Sequence, residues 1–109
     1  MVTAETAVVL PVLLLVLAGA VAAVTVVGSQ LRCVDAAREG ARAAARGETT
    51  AVVEALVSRT APGGATASVS LGEQDVRVTV SARIAALGAV PLRLTVSAEA
   101  VAAREPGTG

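Results

Sequence analysis

The ionisable residue in the most unusual position of this 109-residue chain is Glu5. It stands just before residues 7–28, an apolar stretch that contains no charged side chain. A lone carboxylate at the edge of such a stretch is expensive to bury, so its presence there indicates a specific role.

The remaining composition argues against catalysis. The chain has no His and a single Cys, Cys33, so the most common general base is missing and a multi-Cys metal site is excluded. Neither a G-x-S-x-G nucleophile elbow nor a glycine-rich phosphate loop is present in the sequence. We therefore predict no enzyme activity, no cofactor and no metal site.

Direct nucleic-acid binding is not expected either. The formal net charge is zero, and Phe, Tyr and Trp are all absent. The chain as a whole therefore does not attract phosphates, and it has no rings on which bases could stack.

The apolar stretch has the length of a membrane span. Residues 7–28 form about 22 residues, or about 33 Å of helix, which crosses a hydrocarbon core of about 30 Å. Pro11 is expected to kink or open this helix locally. Small residues four apart favour close helix packing, as in the pairs Ala18/Ala22 and Gly19/Ala23; ordinary Ala-rich composition explains them equally well.

A cleaved signal peptide is the competing interpretation of this segment. It is disfavoured because no positive residue precedes the apolar run and Glu5 stands there instead. The arginines that follow the run would, taken alone, place the C-terminal part in the cytoplasm. The opposite orientation therefore needs a basic leader ahead of Met1.

Residues 29–47 predict an amphipathic continuation of the same helix. Charged residues at steps of three and four share one face and can form i,i+3 ion pairs such as Arg32–Asp35 and Glu39–Arg42. The opposite face is made of small residues: Cys33, Ala36, Ala37, Gly40, Ala44 and Gly47. That face suits packing against a helix or sheet, although a solvated Ala-rich helix is the alternative.

Packing is also the favoured role of Cys33, which is otherwise a candidate for an intersubunit disulfide or a lipid attachment site.

The sequence after this helix predicts a small α/β head over residues 48–103. Gly47 is expected to end the long helix, and Thr49 or Thr50 to cap a short helix at about residues 50–60. Alternating apolar residues predict three antiparallel strands at about residues 65–71, 76–84 and 92–100, with residues 87–91 as the second hairpin loop. The tail, residues 104–109, is expected to be disordered. The fold class is therefore α+β, with a three-stranded sheet packed on the long helix.

A carboxylate at the fifth residue, an apolar helix, its amphipathic continuation and a small β head together resemble type IV pilin-like proteins. More narrowly, MVTAETAVVLPVLLLVLAGAVAAVTVVGSQLRCVDAAREGARAAARGE resembles the TadE-like minor pilins, or pseudopilins, of tight-adherence (Flp-type) pilus systems in their high-GC Gram-positive form. In that family a prepilin peptidase removes a leader so that the Glu is fifth in the mature chain. The resemblance thus implies that Met1 is the mature N-terminus, where N-methylation can occur, and that Glu5 pairs with the N-terminal amine of a neighbour.

The resemblance implies a structural function. Such a subunit is stored as a single-pass protein of the cell membrane and then enters or primes an extracellular pilus for adhesion or DNA uptake. The expected partners are other pilin subunits, the prepilin peptidase, the inner-membrane platform of the pilus machine and membrane lipid. The residues expected to serve helix packing are Pro11, Gly19, Ala23 and Gly40, with Cys33 as a candidate intersubunit contact. Two alternatives stay open: a single-pass accessory subunit that regulates a partner transporter or enzyme, and a secreted β protein.

Overall fold

The computed structural model describes residues 2–86 and 93–104, which form two helices and one sheet. The elements are α1 (Val2–Ala45), α2 (Thr50–Thr60), β1 (Thr66–Leu71), β2 (Asp75–Ala85) and β3 (Arg93–Ala103). This is the α+β layout that the sequence predicts. Three predictions fall outside the described residues: the role of Met1, the second hairpin loop at residues 87–91 and the disorder of residues 105–109.

The long helix α1 is continuous from the apolar segment into the head. Its 44 residues correspond to about 66 Å at 1.5 Å per residue. It runs through Pro11, which removes one backbone donor, and through the predicted end of the membrane segment at Gly28. The continuity follows from the strong helix formers after that point and from the absence of proline there.

The junction between the two helices is built as the local sequence predicts. Gly47 has a φ of 89°, the left-handed region that favours glycine. The amide of Glu48 donates to the Ala43 carbonyl and the amide of Gly47 to that of Ala44, which is a Schellman motif. The Thr49 hydroxyl then accepts a hydrogen bond from the Val52 amide and caps α2.

The sheet is an antiparallel meander in the order β1-β2-β3, with β2 in the centre. The β2 side chains alternate between buried and more exposed positions, and its valines Val76, Val78 and Val80 face the core. This alternation is what a strand with one solvated face requires. The opposite face carries an ion pair of 3.3 Å between Arg77 Nε and Glu99 Oε1.

The end of the sheet differs from the sequence prediction. Strand β3 continues to Ala103, which pairs with Asp75 at the start of β2. Arg104, expected to begin the disordered tail, instead donates its amide to the Gln74 carbonyl and its guanidinium to the Gly72 carbonyl. These hydrogen bonds fix the residue to the first hairpin loop, so the prediction is wrong at Arg104.

The core lies between the C-terminal half of α1, helix α2 and the inner face of the sheet. It contains only Val, Ala, Ile and Cys side chains among the described residues, with Val53, Val57, Val76, Val78 and Val80 the largest that are fully buried. The small face of α1 supplies Ala36, Ala37, Ala41 and Ala44, which let the backbones approach closely. The predicted small face therefore packs within the head rather than facing solvent, except at Gly47, which is exposed beyond the end of α1.

The charged face of α1 makes different contacts from those expected. Arg32 does not use Asp35 as its partner; its guanidinium donates to the carbonyls of Thr60 and Ala61 at the end of α2. Glu39 accepts a hydrogen bond from the Thr60 hydroxyl. Because the last carbonyls of a helix lack intrahelical partners and carry partial negative charge, a cation there stabilises α2 more than an exposed i,i+3 pair would.

Candidate functional site

The N-terminal part of α1 has no protein cover. Residues 3–17 are all exposed, including large apolar side chains such as Leu15, which is 73% exposed. Helix α1 as a whole is long and apolar enough to cross a membrane, and its most apolar window is not buried inside the protein. An apolar surface of this size fits a membrane location, because lipid would bury it, whereas in water it would stay exposed to solvent.

Glu5 lies in the first turn of α1 and is exposed. The amide groups at the start of a helix carry partial positive charge, so a carboxylate is electrostatically favoured there. It is the one carboxylate on the uncovered part of the helix, residues 3–17. The Glu5 carboxylate can accept hydrogen bonds and can form an ion pair with a cationic group of another molecule.

The small residues of the apolar segment divide between two faces of α1. Ala18 and Ala22 are half-buried and lie on the side that faces the sheet. Gly19 and Ala23 are exposed, and a Cβ atom added at Gly19 would meet nothing within 4 Å. Of the two small-residue pairs in the sequence, only the second is open to another helix.

The division arises because the β2–β3 hairpin extends along α1 past the head. Gln30 donates a hydrogen bond of 2.7 Å to the Ser97 carbonyl, which fixes β3 beside the helix. Further along, Ala85 and Ala86 line an open groove together with Leu17 and Val21 of the apolar segment. The sequence analysis did not anticipate this contact; the available signal was the apolar character of β2 near its end.

The polar side chain inside the apolar segment is satisfied within the helix. The Thr25 hydroxyl donates to the Val21 carbonyl at 2.9 Å, one turn earlier. This is the back-bonding expected for a threonine in an apolar helix.

The predicted packing residues occupy separate places. Pro11 is exposed on the uncovered part of α1, whereas Gly40 and Cys33 lie inside the head. The Cys33 side chain is 0% exposed, so in this fold it packs in the core and is not accessible to another subunit. Burial raises the pKa of its thiol, and the nearby positive charge of Arg32 opposes that shift.

Comparisons with known proteins agree with this architecture. Residues 1–42 match the family of TadE-like proteins. The chain is also 38% identical over 104 residues to a protein of Mycobacterium tuberculosis (strain ATCC 25618 / H37Rv) named apoptosis inhibitor Rv3655c. That alignment covers 95% of this chain and 79% of the relative. No solved structure matches the chain.

The match to the family covers the part of α1 that carries Glu5, the uncovered apolar surface and most of the small residues that pack in the head. The TadE-like family is a pilus-related structural family. The long apolar helix with a small α/β head packed on its C-terminal half is consistent with that assignment. The chain belongs to the TadE-like family.

Proposed function

We propose that this chain is a minor pilin or pseudopilin of a Tad/Flp-type IV pilus. It is stored in the membrane and then incorporated into an extracellular filament, or primes its assembly, for adhesion or DNA uptake. The observation that carries the proposal is the uncovered part of α1, residues 3–17, with Glu5 in the first turn of the helix. A subunit with such a helix needs lipid before assembly and neighbouring helices after it.

Membrane storage follows from the energetics of the uncovered surface. Burial of apolar surface is worth about 25 cal/mol per Å², and none of the side chains of residues 3–17 is buried by the head. A bilayer supplies this burial for the free subunit. In a filament the same surface would be covered by the equivalent helices of other subunits.

Pairing of the Glu5 carboxylate with an amine would favour assembly energetically. In the proposed mature chain the N-terminal amine of Met1 is about 6 Å from Glu5 along the helix axis, at 1.5 Å per residue. A neighbouring subunit shifted by about one turn would bring its amine to this carboxylate. An unpaired carboxylate in hydrocarbon is costly, so pairing would favour the assembled state. A Glu5 that only rests among lipid headgroups would provide no such preference.

The exposed small residues provide a route for close helix contact. Gly19 has open space around the position of a Cβ atom, and Ala23, one turn later on the same face, is exposed. Small residues let two helix backbones approach in an apolar environment, where packing replaces the hydrophobic effect as the driving force. We propose that Gly19 and Ala23 contact neighbouring pilin helices.

The remaining partners follow from the family. A prepilin peptidase would generate the mature N-terminus, and the inner-membrane platform of the pilus machine would extract the subunit from the bilayer. Mass spectrometry of the subunit from purified filaments tests this directly. An N-terminus at Met1, with or without N-methylation, supports the proposed register; a chain that starts near Val21 or Ala23 would instead indicate a cleaved signal peptide.

The central test replaces Glu5. In a strain whose only copy carries Glu5→Ala, we expect fewer pili and loss of the subunit from the filament fraction, while the subunit remains in the membrane. Glu54→Ala is the matched control, because it removes the same charge from an exposed position on α2. Unchanged pilus number and incorporation for Glu5→Ala would exclude the proposed role of the carboxylate.

Two other functions give different results in the same strains. A regulatory accessory subunit would co-purify with a polytopic transporter or enzyme, and deletion would change the activity of that partner without changing pili.

The relative's name states an inhibitory role in apoptosis for that protein, and the 95% coverage of this chain makes it a second candidate function here. Reduced caspase activation in cells exposed to the purified chain would support it.

A further inference from the structure

The end of the β2–β3 hairpin lies beside the apolar segment of α1, at a level where a membrane surface is expected. A hydrocarbon core of about 30 Å is crossed by about 20 helical residues. A span that starts just after Glu5 therefore ends near Thr25. Ala85 and Ala86 line an open groove with side chains of α1 between Leu14 and Thr25, so the end of β2 passes the proposed membrane boundary and lies beside the last part of the span.

The side chains at this end of the hairpin are sorted by polarity. Ile84 and Ala86 pack inward, while Leu94, which pairs with Ile84, is 39% exposed. In sequence, the residues that connect the two strands, 87–92, include no charged or hydrogen-bonding side chain. Exposed apolar side chains give no stability to a head that is surrounded by water. They give stability to a head that lies on a bilayer, because lipid buries them there.

Two arginines flank this apolar end. Arg83 and Arg93 are both exposed, and the pairing of Arg83 with Thr95 and of Ala85 with Arg93 places them diagonally on the outer face of the sheet. Within the described residues neither forms an ion pair with a carboxylate; the ion pair on that face joins Arg77 and Glu99. Arginines next to apolar side chains can extend toward headgroup phosphates while their stems remain in contact with hydrocarbon.

We propose that the end of the β2–β3 hairpin anchors the head to the membrane surface. Ala85 and Leu94 enter the edge of the hydrocarbon beside α1, and Arg83 and Arg93 bind the phosphates of anionic lipids. The anchor rests on the membrane storage of α1 proposed above and adds a second, lipid-specific contact. It orients the head on the bilayer before assembly.

Because the chain has no Trp, Tyr or Phe, one introduced tryptophan is its only fluorophore. The full chain carrying Leu94→Trp is reconstituted in phosphatidylcholine vesicles that contain phosphatidylglycerol and lipids brominated along their acyl chains. We expect blue-shifted emission that the brominated lipids quench. Ala85→Trp reports from the opposite face of the same hairpin, so the measurement does not depend on one substitution folding.

Two reference tryptophans calibrate the result. Leu13→Trp lies in the membrane segment of α1 and is expected to be quenched strongly. Leu71→Trp lies at the other end of the sheet, about 30 Å along the strands at 3.3 Å per residue, and is expected to escape quenching. Both native side chains are exposed, at 56% and 58%, so neither substitution disturbs the core.

The arginines are tested in the Leu94→Trp chain. Each arginine near an anionic surface contributes about 1 kcal/mol, or about five-fold in the inserted-to-free ratio of the hairpin. Arg83→Gln with Arg93→Gln is therefore expected to remove the part of the quenching that depends on phosphatidylglycerol. Arg42→Gln with Arg46→Gln removes the same charge farther along α1 and is expected to leave the quenching unchanged.

The outcomes separate the anchor from membrane storage. Strong quenching at Leu13→Trp without quenching at either hairpin position overturns the anchor and leaves membrane storage intact. Absence of quenching at Leu13→Trp overturns both. Hairpin emission that changes with protein concentration but not with lipid would assign this surface to a second copy of the chain and would also overturn the anchor.

Discussion

Among the glycines of α1, Gly40 is the one whose added Cβ atom would collide with other elements of the head. It lies where α1 meets both α2 and β2. A Cβ atom added at Gly40 would stand 2.8 Å from Val57 Cγ2 and 3.2 Å from Val78 Cγ1. Valine side chains are short and stiff, so they cannot move aside without displacing their own elements. The glycine is therefore required by tertiary packing, although it weakens the helix locally.

The first prediction concerns Gly40→Ala. Overpacking costs about 1–3 kcal/mol, and the better helix propensity of alanine returns about 1 kcal/mol. We expect a net loss of up to about 2 kcal/mol, seen as a lower Tm of the head in circular dichroism. Gly28→Ala is the control, since a Cβ there meets nothing within 4 Å, and it should cause no loss. Equal Tm values for both variants would show that Gly40 is not tightly packed.

The second prediction concerns Cys33 and alkaline pH. Because burial raises its pKa in the folded state above the ordinary value of 9.0, the folded chain holds the thiol proton more tightly than the unfolded chain. The resulting stability is complete below pH 9.0 and is lost as the pH rises through the folded-state pKa. The chain contains no Lys, Tyr or His, so few other groups titrate in this range.

Urea unfolding at several alkaline pH values measures this effect. The free energy of unfolding of the native chain should fall as the pH rises, and Cys33→Ala should remove most of that dependence. A native chain whose stability stays constant through this range would contradict the burial of the thiol.

Among the elements, α1 has two faces with different surroundings. One face, which runs through Ala18, Ala22 and Val26 into the head, contacts the chain's own sheet. The face with Gly19 and Ala23 is exposed. Because the two faces are adjacent, neighbouring residues of the same helix are predicted to respond differently to enlargement.

The third prediction compares Gly19→Leu with Ala18→Leu. Leucine at Gly19 should leave the Tm of the head unchanged but reduce incorporation into filaments, because it fills the space open to another helix. Leucine at Ala18 should instead leave incorporation unchanged, since it extends into the open groove beside Ala85 and Ala86 and not toward another helix. Thermal melts in detergent and subunit counts in sheared pili measure the two effects. Normal incorporation of Gly19→Leu would argue against an intersubunit contact at this face.

As a whole, the described molecule is a rod of 77 × 20 × 16 Å with its core at one end. Every residue of the buried core lies at Cys33 or later in the chain. From the apolar segment, Val26 is a partly buried side chain that packs against this core. The head is therefore a nearly complete folding unit, although its Val- and Ala-rich core is thin for its size.

The fourth prediction concerns removal of the apolar segment. A chain consisting of residues 29–109 should be soluble and should unfold cooperatively, with helix and sheet signals in circular dichroism. Its Tm should lie below that of the full chain in detergent, because the hairpin loses the part of α1 against which it packs. A non-cooperative melt would show that the head depends on the membrane segment for its fold.

Local features were predictable because they depend on residues close in sequence. The glycine that ends α1, the threonine that caps α2 and the alternation of the strands follow from backbone geometry and from the period of two in a pleated strand. The prediction that Glu5 precedes a membrane-length helix has the same local character. Its pairing with an N-terminal amine stays a prediction.

Contacts between distant residues were not predictable in this way. The guanidinium of Arg32 reaches carbonyls of α2 at Thr60 and Ala61, and α1 meets β3 through Gln30 and Ser97. Local charge spacing favours Arg32–Asp35 instead, because it contains no information on where α2 ends in space. The extra length of β3 likewise depends on Asp75, its partner across the sheet.

The sequence by itself determined the apolar helix, its lone carboxylate, the helix caps and the three strands, since each rests on spacing along the chain. Only the tertiary structure decided which small-residue face of α1 is covered. That outcome depends on how far the β2–β3 hairpin extends along the helix. Ala18 lies beside the end of β2 and is half-buried, as is Ala22, whereas Gly19 and Ala23 are exposed, and Arg83 and Arg93 are exposed on the outer face of the same hairpin.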